Sequence, residues 1–253
     1  MKESQVKNLL QYIEEVDLWS SKTRIYRGVS DSKFQLIPSL GRLEVLALHG
    51  MEKLPGGKLE ERRERYESEL LQEFKRRAIP FLTSIPRSEL EWLCVAQHYG
   101  VPTCLLDWTT NPLVALFFAC ESKPDLGGAV YVRHQSSWLN EAHNDDPFRR
   151  PDKILAIQPD HSDKRFVNQE GVFTIHPDPR VPVDDDMTRK VVFDAEAKDQ
   201  MQWQLAKFGI RASVIYPGLD GVAKDVRAIC ESTRTGTLRE ADPFRSMKLW
   251  GNT

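Results

Sequence analysis

The run from Leu113 to Cys120 places eight apolar residues in succession, directly after Asn111-Pro112. Asparagine followed by proline is a helix-opening pair, because asparagine caps free amides and proline suits a first turn. Eight residues fall far short of the roughly 20 needed to cross a bilayer. A helix that is apolar on every side must therefore be enclosed by other layers of a protein core. The chain has 253 residues, 40% of them hydrophobic and 28% charged, which is ample for one large domain around such a helix. The N-terminus, MKESQVKNLLQYIEEV, mixes charges with spaced apolar residues and has no secretory apolar core. The expectation is a cytoplasmic protein with neither membrane span nor export signal. Cys94, Cys104, Cys120 and Cys230 show no paired spacing and read as reduced core residues. A net charge of −2 excludes a histone-like mass of positive charge but allows a local basic groove.

Periodicity supplies the other elements. Val6–Trp19 has helical spacing, and Thr23–Gly28 reads as a short strand closed by glycine. Glu44–His49 suggests a brief helix before a loop around Pro55-Gly56-Gly57. Leu59–Ala78 is a long charged helix with Tyr66, Leu70, Leu71, Phe74 and Ala78 on one face. Ser88–Tyr99 is a helix with Ser88 as N-cap and Gly100 then Pro102 as its stop. Pro112–Glu121 is the buried helix. Strands are expected at 128–132, 153–157, 171–176, 188–193 and 212–216, and helices at 195–208 and 221–230. Residues 134–150 and 158–165 read as loops, and the tail 232–253 is polar. Helices dominate the first half and strands the second, so the class is α+β within a single domain over 1–253. The segment 1–20 is its N-terminal helix.

No dinucleotide-binding glycine motif, P-loop, zinc-protease signature, nucleophile elbow or EF-hand occurs. Cys94 and His98 form the one helical pair of possible ligands, and two are too few, so no metal is expected. Three segments carry denser chemistry. Tyr26-Arg27-Gly28 ends a strand with a fork of donors beside a residue that permits close approach. The same arginine could simply pair with a carboxylate such as Asp107. Gln97–Pro112 crowds Asp107, Trp108, Thr109, Thr110 and Asn111 ahead of the buried helix, and the alternative is that Thr110 or Asn111 serves only as a cap. Asn168-Gln169-Glu170 opens a strand, and alternation sends Gln169 and Glu170 to opposite faces.

These segments, as YRG, AQHYGVPTCLLDWTTNPLVALFFA and NQEGVFTIHP, resemble the FRG family of bacterial domains, named for an aromatic-Arg-Gly motif. The resemblance extends from about Thr23 to Tyr216, with tyrosine in place of the phenylalanine of the name. A second resemblance lies in the order of motifs. A strand with Arg-Gly, a Thr-rich segment leading into Ala-x-x-Phe-Ala, and a strand opening with Gln/Glu are similar to the Arg–Ser/Thr–Glu set of ADP-ribosyltransferases. That likeness implies a mixed, split β-sheet core with packed helices, ADP-ribosyltransferase-like, and NAD as substrate. It implies Arg27 as the NAD anchor and Thr109, or alternatively Thr110, as the nicotinamide-pocket residue. Gln169 or Glu170 would contact the ribose; the chemistry favours Glu170 and the FRG pattern Gln169, and Gln169 is the preferred residue. Tyr26, Tyr99 or Trp108 could stack on the nicotinamide, and Gly28 would let the ligand approach.

The implied activity is ADP-ribosyl transfer by a bacterial toxin or anti-phage effector. A nucleic-acid acceptor, RNA ahead of DNA or protein, is preferred, and a neutralising antitoxin is the expected partner. Lys75-Arg76-Arg77, Arg149-Arg150 and Lys164-Arg165 could line an acceptor groove, or be ordinary surface charge. The alternatives are a nucleotide-binding sensor that leaves its ligand intact and an NAD glycohydrolase.

Overall fold

The computed structural model describes residues 1–19, 23–43, 59–82, 84–139, 148, 150–158 and 164–234. The expected helix at Glu44–His49, the loop around Pro55, Arg149 and the chain from 235 onward lie outside them, as do the side chains of Lys164, Arg165 and Cys230. In chain order the elements are β1 (Lys2–Gln5), α1 (Leu9–Asp17), β2 (Arg24–Val29), α2 (Ser39–Arg42) and α3 (Leu59–Ala78). After a 3-10 turn at Ile79–Phe81 come α4 (Glu89–His98), β3 (Leu105–Thr109), α5 (Pro112–Cys120), β4 (Gly128–His134) and β5 (Leu155–Ile157). The remainder is α6 (Lys164–Gln169), β6 (Gly171–Ile175), β7 (Thr188–Phe193), α7 (Ala195–Lys207), α8 (Ala212–Ile215) and α9 (Leu219–Arg234).

The strands form one mixed seven-stranded sheet in the order β1-β7-β4-β2-β3-β6-β5. Among these strands β1 and β7 alone pair in parallel, and an isolated parallel bridge joins Trp138 to Ala156. Strands and helices interleave along the whole chain, and this replaces the expected division into a helical first half and a stranded second half. The sheet is not uniform. β2 pairs with β4 over six residues, and β3 with β6 over five, but β2 meets β3 at the single pair Tyr26–Thr109. Beyond that pair the strands part, so the sheet is two ladders joined at one point.

Alternation assigns the side chains. Tyr26, Val130, Val132 and Val191 join the cluster containing α1, α5 and α7 residues such as Tyr12, Leu116 and Met201. Leu105, Phe173 and Ile175 pack with Leu71 of α3 and Leu93 of α4. Ile25, Leu106, Trp108, Tyr131 and Val172 gather instead with Leu36 and Val183, which come from coil segments. Six of the nine α5 residues are buried, which confirms the reading of the apolar run. Asn111 caps this helix by accepting from the amides of Leu113 and Val114 at 2.9 and 3.4 Å. Ser88 likewise caps α4 through the amide of Glu91 at 3.1 Å.

Two buried polar groups tie the layers together. Lys198 on α7 is 1% exposed, and its Nζ donates to the carbonyls of Ser30, Ser122 and Lys123 at 2.6, 3.0 and 2.9 Å. Three acceptors satisfy all three of its protons, and this permits the burial. Glu67 on α3, also 1% exposed, accepts from the Cys104 amide at 2.6 Å and from Arg150 at 2.5 Å. Cys94, Cys104 and Cys120 are buried free thiols, and burial pushes each thiol pKa upward. No described helix is long and apolar enough to cross a membrane.

Three local expectations change. Ala212–Tyr216 is not a strand. Asp225 on α9 accepts from the amides of Ala212 and Ser213, both at 3.1 Å, and so caps the short helix α8. Asn168 and Gln169 do not open a strand but end α6. Two strands, β1 and β3, form where none was expected.

Candidate functional site

Arg27 lies at the apex where β2 and β3 part. Its Nη1 donates to the Asp107 carbonyl at 2.6 Å and to Asp107 Oδ2 at 3.2 Å. A backbone carbonyl left by the parting ladder is thus satisfied by a side chain, as an internal acceptor requires. Asp107 is the carboxylate expected as its structural partner. The pair occupies only one corner of the guanidinium. Nε and Nη2 make no hydrogen bond among the described residues, so one edge of the five-donor fork stays open. The Arg27 side chain is 20% exposed and that of Asp107 50%. Such a half-exposed pair contributes at most about 1 kcal/mol to stability.

A relay extends from this pair. Gln97 Nε2 donates to Asp107 Oδ2 at 2.9 Å, and Thr103 Oγ1 donates to Gln97 Oε1 at 2.6 Å. Gln97 therefore orients the carboxylate from the end of α4. His176, just past β6, is 2% exposed and in hydrogen-bond contact with Thr174 Oγ1 at 2.9 Å. Burial, then the positive charges of Arg133 and Arg27, push its pKa down to about 3. Arg133 is itself neutralised by Asp185 at 2.8 Å.

The depressed His176 makes stability depend on acid. Below about pH 6.5 the unfolded chain binds a proton there that the native protein refuses, so stability falls from pH 6.5 down toward pH 3. The loss from this group alone amounts to about 4–5 kcal/mol at pH 3. His176→Gln removes the titration, so urea-unfolding free energies of wild type and variant should converge or cross as pH drops. A difference between them that stays flat from pH 7 to pH 4 would refute this account.

At the other side of the joint, two turns clasp each other. The Thr109 hydroxyl, buried, donates to the Gln169 carbonyl at 2.7 Å and accepts from the Asn111 amide at 3.0 Å. The Thr110 amide donates to the Glu170 carbonyl at 3.1 Å. Glu170 Oε2 accepts from Thr110 Oγ1 at 3.0 Å and Oε1 from Asn111 Nδ2 at 2.9 Å. Glu170 has φ of 46°, a left-handed conformation uncommon outside glycine. An exposed carboxylate is thus held rigidly, at some backbone cost, by two side chains from the turn before α5. Gln169 points elsewhere, its Nε2 donating to the Ile215 carbonyl of α8 at 3.2 Å. The expected strand alternation does not operate, because a helix end and a turn stand in its place.

Register sets the scale of the site. Tyr26 pairs with Thr109, and Thr109 with Gly171. Two inter-strand spacings of about 4.8 Å put the Tyr26 and Gly171 backbones about 10 Å apart, and Arg27 and Glu170, offset by two residues along the strands, about 12 Å apart. The aromatics fare differently. Tyr26 and Trp108 are buried, 7% and 4% exposed, and Trp108 Nε1 donates to Thr174 at 2.8 Å. Tyr99 is 60% exposed and lies near Phe74 and His98.

Gly28 serves packing. A Cβ there would lie 1.8 Å from the Ala115 carbonyl oxygen and 2.7 Å from the Ala119 amide nitrogen. The close approach that this glycine permits is that of α5 to β2. The basic stretches are largely self-neutralised: Lys75 pairs with Glu89, Arg76 and Arg77 with Glu73, and Arg150 with Glu67. Among the described residues no group of three or more His, Cys, Asp or Glu is placed to hold a metal ion. A groove of about 410 Å³ lined by Gln5, Lys7, Gln11 and Leu18 runs along α1, whereas the chemistry described above is at the β2–β3 joint.

Sequence reasoning gave no role to Gln97 and His176, although both fall in the segments it singled out, and did not single out Arg42 of α2. Arg42 is exposed, and partial desolvation and then the Arg27 charge lower its pKa, while Asp107 acts in the opposite direction. The available signal was a lone arginine after the apolar-rich stretch Leu36–Leu40. Comparison with known proteins finds that residues 22–126 match the family model of the FRG domain. The match takes in Arg27, Arg42, Gln97, Asp107 and the Thr109–Thr110 turn, and ends before Glu170. No curated protein and no solved structure matches the chain.

Proposed function

We propose that this chain, which carries an FRG domain over residues 22–126, is an NAD-dependent ADP-ribosyltransferase. The supporting observation is the company at the parted sheet. An arginine with one open edge stands across the joint from a hydroxyl and a strained, doubly anchored carboxylate. The Nε–Nη2 edge of Arg27 suits bidentate pairing with a phosphate of the dinucleotide. Breaking the nicotinamide–ribose bond sends the bonding pair to nicotinamide and builds positive charge on the ribose, as in glycoside cleavage. Glu170, able to accept from the 2′-OH and oppose that charge, is the ribose contact we favour over Gln169. Thr110, with Thr109 behind it, shapes the pocket wall. Tyr99 is the exposed aromatic of the three considered for stacking. The acceptor nucleophile then bonds to the same carbon and loses its proton.

RNA is the acceptor we favour, in the setting of a toxin or anti-phage effector countered by an antitoxin. The paired state of the described basic stretches means that RNA would have to be held by other residues. A second reading, a sensor that binds a nucleotide without cleaving it, draws support from the Arg27–Asp107 pair, which holds the arginine even without ligand.

Labelled NAD incubated alone and with RNA, DNA or lysate protein separates these readings. Transfer puts ribose label on the acceptor and releases nicotinamide, hydrolysis releases nicotinamide without labelled acceptor, and a sensor returns NAD intact. Intact NAD in every arm overturns the enzyme reading. Arg27→Ala should weaken NAD use at least tenfold, in line with losing a charged hydrogen-bond pair. Its unfolding free energy should fall by about 1–3 kcal/mol with the protein still folded, because the Asp107 carbonyl loses its donor while the ion pair itself is half exposed. Arg27→Lys should recover little, a point charge being unable to pair through two N–H groups.

A further inference from the structure

The Glu170 turn is gripped from two directions. Thr110 and Asn111 hold its carboxylate from one side. From the other, the two residues before it reach a distant part of the chain. Asn168 Nδ2 donates to the Val214 carbonyl at 2.7 Å, and Gln169 Nε2 to the Ile215 carbonyl at 3.2 Å. Both carbonyls lie in the last turn of α8, where no amide of the same helix reaches them.

A helix of four residues cannot sustain itself, so α8 must be set from outside. Asp225 of α9 does this with both carboxylate oxygens, Oδ1 accepting from the Ala212 amide and Oδ2 from the Ser213 amide, each at 3.1 Å. Gly221 brings α9 close enough, since a Cβ there would fall 2.1 Å from the Tyr216 carbonyl oxygen and 2.6 Å from that of Ala212. Asp225 thus fixes the start of α8, and the end of α8 fixes Asn168 and Gln169. Gln169 passes the constraint on, because its own carbonyl accepts from Thr109 Oγ1 at 2.7 Å. Next along the chain, the Glu170 amide donates to the Val167 carbonyl and the Glu170 carbonyl accepts from the Thr110 amide, both at 3.1 Å. A residue with φ of 46° keeps that conformation only while its surroundings over-determine it.

We infer that Asp225 is a positioning residue for Glu170, holding the strained turn through α8 and so keeping the carboxylate in one orientation. The inference rests on the assignment of Glu170 to the ribose made above, and it adds the device that sets that group. Asn168 and Gln169 act in parallel. Losing either side chain leaves the other bond in place, whereas losing the Asp225 cap releases both acceptors at once.

The test compares Asp225→Ala, Asp225→Asn and the double variant Asn168→Ala/Gln169→Ala, each in the full chain, by two measurements. The first is residue-resolved amide exchange without ligand. In Asp225→Ala the Thr110 and Glu170 amides should exchange at least about tenfold faster, the scale of one lost hydrogen bond to a charged acceptor, while amides of the β4–β7 ladder keep wild-type rates. Asp225→Asn leaves one acceptor oxygen for two amides and should fall between. The double variant should reproduce Asp225→Ala, and adding Asp225→Ala to it should cause no further change, as expected for groups acting in one chain. The second measurement is nicotinamide release. Asp225→Ala should lower kcat about tenfold with KM for NAD within about twofold of wild type, the pattern of a misplaced reacting group rather than of lost binding. Unchanged Thr110 and Glu170 exchange, faster exchange throughout the ladders, additive losses on combining the variants, or an unchanged kcat in a protein that cleaves NAD would each overturn the inference. The transferase reading is judged separately: exchange that rises locally as expected, in a protein whose wild type releases no nicotinamide, supports the positioning and refutes the transferase.

Discussion

On the transferase reading, Glu170→Gln should slow nicotinamide release about 100-fold under single-turnover conditions, the loss expected on removing one group that stabilises developing charge. Glutamine keeps the size of the side chain and can still hold a hydroxyl. The Thr110 hydroxyl can rotate to meet the new amide, and one oxygen remains for Asn111 Nδ2. What disappears is the negative charge that the proposed reading sets opposite the ribose. Gln169→Ala, by contrast, cuts a bond to the Ile215 carbonyl, and should change the rate less than threefold. Melting curves for both variants control for damage to the clasped turns. The reverse ranking would move the catalytic role to Gln169. Small and equal losses would take this turn out of the reaction and favour the sensor.

Gly28→Ala destabilises the protein by about 3 kcal/mol or more, at the upper end of overpacking costs. The added methyl would overlap the Ala115 carbonyl and the Ala119 amide, both backbone atoms of α5, and no side-chain rotation relieves such a clash. α5 would have to lift from β2, opening the cluster formed by Tyr26, Leu116 and Val130. A melting midpoint lowered by roughly 6–12 °C, or loss of soluble protein, is the expected reading. A midpoint within about 2 °C of wild type would show that α5 moves freely on the sheet. The motif glycine is thus explained by a helix resting on a strand, whatever the neighbouring arginine binds.

Helices with strong caps or long faces were legible in the sequence. α3, α4 and α5 begin and end within a residue of their expected bounds because periodicity, Ser88, Asn111-Pro112 and Gly100 all agree. The failures have tertiary causes. Leu105–Thr109 hides a central strand because Asp107 faces the joint and breaks the apolar run. Ala212–Ile215 has strand-like composition, yet a distant carboxylate, Asp225, caps it as a helix. Arg27, Thr109, Thr110 and Glu170 could be picked out by local chemistry. The carbonyl bonded to Gln169 and the turn at Glu170 could not, because alternation presumes a strand where a helix ends. Arg42 left no periodic trace, since α2 is a single turn that hydrogen bonds to Thr103, far along the chain, help to fix.

The single pair joining β2 to β3 also has a mechanical meaning. A continuous ladder transmits twist from strand to strand through many bonds, whereas one pair acts as a pivot. Angular stiffness between the two ladders then depends on side chains, chiefly Arg27, Asp107, Gln97 and Thr103, and on the clasp of Thr110 and Asn111 with Glu170. Amide exchange should therefore be graded, slow within each ladder and faster along the flanks of the pivot, with the two halves able to open as separate cooperative units. An anion gripped at Arg27 would brace that pivot, so that ligand affinity and the resistance of the halves to separation rise together.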